Sequence, residues 1–164
     1  MKTDVISISE FSTIGVYTLR LHVSKEVTLT VGKLEKQVFS EGYYAYTGSA
    51  LGNGATSLKH RLARHLKKQK FWHINYLLAN QNVSIGTAIA AETTKKMECT
   101  INGYLKDLKG AKVPINRFVA SDCRKNCKIH LLYFTELKKA DCLVQKLVLP
   151  LQSSIDILSV IVVD

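Results

Sequence analysis

The segment Gly42-Tyr43-Tyr44-Ala45-Tyr46-Thr47-Gly48-Ser49-Ala50 decides how the rest of the sequence is interpreted. It closes a run over 38–47 that is rich in aromatic and β-branched residues, a composition that predicts a strand ending at Gly48. The next residues, 49–54, are polar and glycine-rich, which predicts a loop. An earlier segment over 15–23, GVYTLRLHV, alternates in the same way and predicts another strand. Tyr17 and Tyr46 are therefore both expected on strands.

Hydrophobic periodicity assigns the remaining elements. A helix is expected after a cap at Thr56 or Ser57, with an apolar stripe formed by Leu58, Leu62 and Leu66. Further strands are predicted over 27–31, 83–91, 129–135 and 157–163, and further helices over 72–78, 95–108 and 138–149. Strands that cluster early, with helices inserted, indicate an α+β fold: a small mixed or antiparallel β-sheet flanked by helices. A chain of 164 residues (1–164) is expected to form a single domain.

The charge of the chain favours a polyanionic partner. The net charge is +10, which suits nucleic acid first and an anionic membrane second. No acidic residue lies between Glu41 and Glu92, so the helix after Ser57 lacks the Glu–Lys pairs that usually support a solvated helix. The basic residues concentrated there are Lys59, Arg61, Arg64, Lys67, Lys68 and Lys70. We expect this helix to face phosphates; the alternative is an ordinary solvated face.

The sequence predicts a cytoplasmic protein. The first residues include several charges and no long apolar run, so no signal peptide is expected. The apolar stretch over 155–163 is interrupted by two polar residues and is too short to cross a bilayer. Four cysteines fit reduced thiols better than a disulfide framework. We therefore expect no membrane partner.

These motifs together resemble the GIY-YIG nuclease superfamily, with G-V-Y over 15–17, Y-T-G over 46–48 and R-x-x-x-H from Arg61 to His65. A wider set looks like one branch of that superfamily, which is described as a domain of unknown function and is found alone or fused to endonuclease III. That set adds Arg64-His65, Trp72-His73-Ile74, Glu98-Cys99, Ser121-Asp122-Cys123 and His130-Leu131. The resemblance covers residues 14–136 as a nuclease region, and residues 137–164 would add a C-terminal helix and strand.

The resemblance implies a catalytic site made of Tyr17, Tyr46, Arg61, His65 and Glu98. One tyrosine would relay a proton from the attacking water, and Tyr17 is favoured for this role over Tyr46. Because the pKa of an ordinary tyrosine is near ~10, a cation at Arg61 or His65 would have to lower it. Arg61 would stabilise charge on the phosphate, and Glu98 would hold one Mg²⁺ or Mn²⁺ ion. The alternatives are core packing for the tyrosines, a packed helix-edge His65, and a Glu98 that only favours the helix dipole.

A further set of residues is expected to bind DNA. Its members are Lys59, Arg64, Lys67, Lys68, Trp72 and His73. Trp72 would stack on a base or, alternatively, belong to the core, and His73 and His130 are alternative acid–base groups. Cys123, Cys127 and His130 have the residue types of a zinc site without the paired spacing typical of one, so a structural loop is preferred there.

The resulting hypothesis is a metal-dependent endonuclease that hydrolyses phosphodiester bonds in DNA. Fusion of relatives to a base-excision glycosylase implies DNA repair, with incision at abasic or damaged sites. The hypothesis specifies neither the lesion nor the oligomeric state, and RNA is an alternative substrate. One alternative function is a non-catalytic nucleic-acid-binding module that keeps the basic helix. Another is a metal-independent abasic-site lyase, which uses an amine such as a lysine as its nucleophile.

Overall fold

A computed structural model describes residues 14–68, 72–115, 118, 130–136 and the backbone of 157–162. The strands in these residues are β1 (Gly15–Val23), β2 (Val27–Thr30), β3 (Lys36–Phe39), β4 (Gly42–Ala50), β5 (Val83–Glu92), β6 (Leu131–Phe134) and β7 (Ile157–Val162). The helices are α1 (Leu58–Leu66), α2 (His73–Leu78) and α3 (Glu98–Lys106), and a 3₁₀ turn, Gly54–Thr56, precedes α1.

Strand β1 is the central strand of an antiparallel sheet and fixes the position of both tyrosines. The order of strands is β6-β4-β1-β5-β7, while β2 and β3 form a separate two-stranded sheet. In the pairing of β1 with β4, Tyr17 lies opposite Gly48 and Leu19 lies opposite Tyr46. Because side chains two residues apart on a strand point to the same face, Tyr17 and Tyr46 are diagonal neighbours on one face of the sheet.

The two faces of this sheet are covered by different helices. The face that carries Tyr17 packs against α1 and α2 in the larger core, which includes Leu62 and Leu77. The opposite face packs against α3 in a smaller core, which includes Val16 and Ile101. The candidate catalytic tyrosines therefore lie under α1, the basic helix.

Helix α1 begins directly after Ser57, whose side chain accepts a hydrogen bond from the backbone N–H of His60, as the capping prediction requires. Leu58 and Leu62 are buried as predicted, but Leu66 is only half-buried. His65, in the last turn, is completely buried. The helix thus presents a histidine to the core at its C-terminal end.

The predicted α+β fold with an antiparallel sheet is confirmed, and two local predictions are wrong. The single strand predicted over 38–47 is two strands, β3 ending at Phe39 and β4 beginning at Gly42. Gly42 has a φ of 142°, which side-chain-bearing residues rarely adopt, so the chain changes direction there. Ser49 and Ala50, predicted as loop, instead extend β4 and pair with the start of β1.

The later elements agree more closely with their predictions. Helix α3 begins at Glu98 rather than at residue 95, so Glu98 is its first residue. The helix predicted over 138–149 lies outside the described residues. Within the part of the chain that the structure describes, no helix is long and apolar enough to cross a membrane.

Gly48 lies opposite Tyr17 in the strand pairing, and the Tyr17 ring packs closely against it. A Cβ added there would lie 2.7 Å from the Tyr17 hydroxyl oxygen and 2.8 Å from Cζ. Gly48→Ala should therefore displace the ring and lower the free energy of unfolding by about 1–3 kcal/mol. The matched control is Gly103→Ala, because a Cβ on this α3 residue meets no described atom within 4 Å and should stabilise the helix by up to about 1 kcal/mol. Urea unfolding compares the two variants, and equal stabilities would contradict the close contact at Gly48.

Candidate active site

Three aromatic side chains from three elements meet beneath helix α1. The ring centroids of Tyr17 and Tyr46 are 6.2 Å apart, and the His65 ring lies 5.5 Å from Tyr17 and 5.7 Å from Tyr46. All three side chains are buried, with 1%, 5% and 0% of their surfaces exposed. The strand register places the tyrosines, and the last turn of α1 places the histidine above them.

A chain of hydrogen bonds passes through His65. The Asn75 side-chain oxygen Oδ1 is 2.7 Å from His65 Nδ1, and His65 Nε2 is 2.8 Å from the Tyr17 hydroxyl oxygen. A carbonyl oxygen only accepts, so Nδ1 carries the hydrogen of the neutral ring and Nε2 is left as the acceptor. The Tyr17 hydroxyl therefore donates to Nε2. Tyr46 adjoins this chain: its ring centroid is 6.2 Å from that of Tyr17, and the two side chains act on each other's pKa.

Burial controls the protonation of this cluster. Burial lowers the pKa of His65 to about 4; the hydrogen bond that His65 donates to Asn75 opposes this shift, and the charges of Arg61 and Arg64 add to it. Burial, followed by the neighbouring Tyr46, raises the pKa of Tyr17 well above its ordinary value, and Arg61 lowers it by less. The pKa of Tyr46 is raised by burial too, despite the opposing charge of Arg61.

The directions of these pKa shifts correct one prediction from the sequence. We expected a cation at Arg61 or His65 to lower the pKa of a tyrosine. Arg61 does act in that direction, but burial outweighs it for Tyr17 and Tyr46. His65 is neutral at neutral pH and supplies no charge. Both tyrosines are therefore neutral phenols in the folded protein.

Arg61 and Arg64 lie against the same tryptophan. The guanidinium carbon of Arg61 is 4.8 Å from the centre of the Trp72 ring, and that of Arg64 is 5.3 Å away. Arg61 donates to the carbonyl oxygen of Ser49 in β4, and Arg64 donates to that of Ala55. Arg64, expected among the DNA-binding residues, is half-buried. The Trp72 ring therefore makes cation–π contacts with two guanidinium groups.

Arg61 also reaches the tyrosines. Its charge lowers the pKa of Tyr17 and Tyr46, and a side-chain hydrogen bond from it lowers the pKa of Tyr17. Its Nε atom is buried and has no hydrogen-bond partner among the described residues. The guanidinium therefore contacts the Trp72 ring and acts electrostatically on both tyrosines.

Glu98 lies at the start of α3 and is 7% exposed. One carboxylate oxygen, Oε1, is 3.9 Å from Lys96 Nζ, whereas Oε2 is buried and has no hydrogen-bond partner among the described residues. The Glu98 charge raises the pKa of Tyr46 and opposes the burial that lowers the pKa of His130. Glu98 therefore acts electrostatically on Tyr46 and on His130.

The remaining predicted residues are distributed around this cluster. Lys59, Lys67 and Lys68 are exposed on α1 or directly after it, whereas His73 is half-buried with its ring 6.1 Å from that of Phe118. His130 lies beside Cys99, with 3.7 Å between Nε2 and Sγ. Lys70 and the other residues predicted for zinc, Cys123 and Cys127, lie outside the described residues, as does Asp122. Among the described residues, no group of three or more His, Cys, Asp or Glu side chains is arranged to hold a metal ion.

Asn75 is the member of this cluster that the sequence interpretation missed. It lies in the α2 sequence HINYLL and is completely buried between apolar neighbours. A buried amide needs a hydrogen-bond partner, and His65 provides one. A polar residue at a core position of an apolar helix was the available signal.

Acid should destabilise the protein through His65. Its pKa is about 4 in the folded chain and near 6.5 when unfolded, so the unfolded state binds the proton first as the pH falls. The free energy of unfolding should therefore decrease between pH 6.5 and about 4, by up to about 3 kcal/mol, and this contribution is fully retained above pH 6.5. Burial lowers the pKa of His130 as well, which adds to the same slope.

Urea unfolding at a series of pH values measures this dependence. His65→Gln should reduce the slope between pH 4 and 6.5, while the exposed control His60→Gln should keep it. A slope that is identical in the wild-type protein and His65→Gln would contradict a buried, neutral His65.

Comparison with curated proteins found no match to this chain, and comparison with solved structures found none either. A family described as Domain of unknown function DUF123 matches residues 16–152. That range includes β1 from Val16 onward, all of β4, the three helices among the described residues, and every residue of the cluster described above. The chain therefore belongs to the family described as Domain of unknown function DUF123.

Proposed function

We propose that this protein is a divalent-metal-dependent endonuclease of the GIY-YIG type that hydrolyses phosphodiester bonds in DNA. The observation that carries the proposal is the buried chain from Tyr46 through Tyr17 to His65, which lies beside Arg61. Such a polar chain inside an apolar core is costly unless it is fully satisfied. Shifted pKa values that cluster in this way are typical of catalytic sites.

The order of the side chains Tyr46, Tyr17 and His65 suggests a route for the proton of the attacking water. Tyr17 already donates to His65 Nε2, and its pKa responds to both Tyr46 and Arg61. Tyr46 is the more exposed tyrosine, at 5% against 1%. We therefore assign Tyr46 the contact with water and Tyr17 the link to His65. This assignment differs from the expectation that Tyr17 meets the water.

The proton transfer balances without a free phenolate. Water loses a proton to the Tyr46 oxygen as the Tyr46 proton moves to Tyr17 and the Tyr17 proton moves to His65 Nε2. The water oxygen forms its bond to phosphorus, the bond from phosphorus to the leaving oxygen breaks, and that oxygen takes a proton from solvent. His65 then returns its extra proton to solvent and is neutral again, as its pKa of about 4 favours. Each tyrosine gains one proton as it loses another, so the raised pKa values of the tyrosines do not block the relay.

Arg61 is suited to stabilise the charge that develops on the phosphate. Its guanidinium is held by the Ser49 carbonyl and the Trp72 ring, so it needs little reorganisation when substrate binds. Its buried Nε has no hydrogen-bond partner among the described residues and remains a donor for an incoming oxygen. A planar guanidinium also matches two phosphate oxygens at once, which lysine does not.

Glu98 fits a divalent cation. Its Oε2 atom is buried with no hydrogen-bond partner among the described residues, and a buried carboxylate oxygen in that state is costly unless a cation satisfies it. Mg²⁺ often binds through one or two carboxylates, with water and phosphate oxygens as its other ligands. When bound, such an ion polarises the scissile phosphate. The effect of the Glu98 charge on the pKa of Tyr46 supports a shared site for the cation and Tyr46.

The charge distribution supports DNA as the substrate class. Lys59, Lys67 and Lys68 are exposed on α1 or directly after it, the helix that covers the tyrosines. The sequence from Glu41 to Glu92 has no acidic residue between these two positions to offset them. Phosphate contacts of this kind position a backbone without reading its sequence. We therefore expect affinity to depend strongly on salt.

One observation favours a second candidate, a non-catalytic nucleic-acid-binding module. The two tyrosines are almost completely buried, as structural core residues are. In that case the Tyr17–His65 bond would only satisfy polar groups inside the core. Binding without cleavage in every divalent ion would identify this alternative.

The proposal predicts a non-additive loss of activity in the tyrosine pair. Tyr17→Phe and Tyr46→Phe should each slow cleavage by about 10²–10⁴-fold, because either change breaks the relay. The double variant should be no slower than the slower single variant. The matched control is Tyr44→Phe, since this buried tyrosine on β4 donates only to the Ser40 carbonyl and lies outside the relay.

The rates are measured on labelled DNA duplexes that are intact, nicked, branched or abasic, with Mg²⁺, Mn²⁺ or EDTA. DNA affinity should stay within about threefold of the wild type in all three single variants. Normal cleavage by both tyrosine variants would contradict a catalytic role. Effects that multiply in the double variant would mean that the hydroxyls act separately. Cleavage that survives EDTA and is trapped by borohydride would identify a lyase.

A further inference from the structure

The Asn75 side chain contacts the His65 ring, where it can determine which ring nitrogen carries the proton. Asn75 lies in the first turn of α2, and its backbone N–H donates to the Trp72 carbonyl at 2.9 Å. Its side chain is completely buried, and Oδ1 lies 2.7 Å from His65 Nδ1. Rotation about its side-chain bonds is therefore restricted by the surrounding core.

The Tyr17 hydroxyl alone would not choose the tautomer of His65. A hydroxyl can donate to Nε2 or accept from it, so either form of the neutral ring would keep the 2.8 Å contact. An amide oxygen can only accept, and it therefore requires hydrogen on Nδ1. Nε2 is then the basic nitrogen, and it faces Tyr17.

An amide also holds the ring without adding a charge. The titratable or charged groups near His65 are Tyr17 on β1, Tyr46 on β4, and Arg61 and Arg64 on α1, and the uncharged Trp72 ring lies 5.4 Å away. A carboxylate in place of the amide would attract a proton onto the ring, and an imidazolium cannot accept another. The neutral amide leaves the acceptor nitrogen available.

We propose that Asn75 is a positioning residue that holds His65 in the tautomer protonated at Nδ1, so that Nε2 accepts the proton of Tyr17. The catalytic consequence of this role rests on the proposed nuclease function, whereas the tautomer itself does not. Asn75 has no contact with substrate in this account. It acts through His65, as outer residues do when they fix the ring of a histidine ligand or base.

The first test is the ¹⁵N NMR spectrum of the wild-type protein at neutral pH. The two ring nitrogens of His65 give distinct shifts when protonated and unprotonated. We expect a protonated Nδ1 and an unprotonated Nε2. Protonation at Nε2 alone, or at both nitrogens, would overturn the proposal whether or not the protein cleaves DNA.

The second test uses Asn75→Asp, with Asn80→Asp as the matched control. Asn80 follows α2, and its Oδ1 accepts a hydrogen bond from the backbone N–H of Asn82 rather than from His65. Asn80→Asp therefore introduces the same negative charge without placing it against His65. Asn75→Asp should raise the pKa of His65 by about 1–3 units, as followed by the same NMR signals, and the control should leave it in place. An unchanged His65 pKa in Asn75→Asp would overturn the proposal.

The third test separates positioning from catalysis. Asn75→Leu keeps a similar volume but removes the acceptor, so His65 should populate both tautomers and cleavage should slow by about 10–100-fold. In Asn75→Asp, the acid limb of the pH–rate profile should move upward with the His65 pKa. Expected NMR changes without cleavage in any variant would retain the tautomer assignment and remove the nuclease function. Retention of the Nδ1-protonated form alone in Asn75→Leu would overturn the proposal.

Discussion

The register between β1 and β4 is the constraint on which the rest of the candidate site depends. It places Tyr17 opposite Gly48 and makes Tyr46 its diagonal neighbour. Because Gly48 has no Cβ, the Tyr17 ring can lie across β4 and reach His65. A shift of β4 by one residue relative to β1 would turn Tyr46 to the opposite face, towards α3 and away from Tyr17. The hydrogen-bonded chain, the contact with Arg61 and the role of Asn75 all require this register.

Burial then determines the chemistry that the cluster can perform. It outweighs the charge of Arg61 for Tyr17 and Tyr46, and it keeps His65 neutral. A single ionised tyrosine acting as a base does not fit these conditions. The proposed relay fits them, because each tyrosine passes its proton on and no isolated charge forms on a buried phenol. Neutral His65 is the acceptor at its end.

The sequence predicted the fold class and the residues of the cluster better than it predicted their surroundings. Alternation along β1 and the cap at Ser57 are local features, and local patterns predict them. The break between β3 and β4 depends on the conformation of Gly42, which alternation does not reveal. Periodicity around α1 placed His65 at the edge of the apolar stripe, but only the packing of α2 buries it completely.

The wrong prediction about the pKa values of the tyrosines also arises because tertiary packing cannot be read from local sequence patterns. Sequence spacing brought Arg61 near the tyrosines, but it gave no measure of how far they are removed from solvent. Desolvation depends on every element packed around a group, so it emerges only in three dimensions. Asn75 was missed for this reason too, since its partner His65 is ten residues away on another helix. Short motifs identified the catalytic candidates, and tertiary packing supplied the residue that orients them.

The most direct test of the central claim is the cleavage rate of Glu98→Gln on an abasic-site duplex in Mg²⁺ or Mn²⁺, compared with that of the wild type. The substitution removes the charge that would hold the metal and nearly preserves the shape of the side chain. The account predicts that the wild-type protein cuts the duplex and that Glu98→Gln is slower by at least about 100-fold, with DNA affinity within about threefold. Equal rates in both proteins, or DNA binding by the wild type without cleavage in either ion, would contradict it.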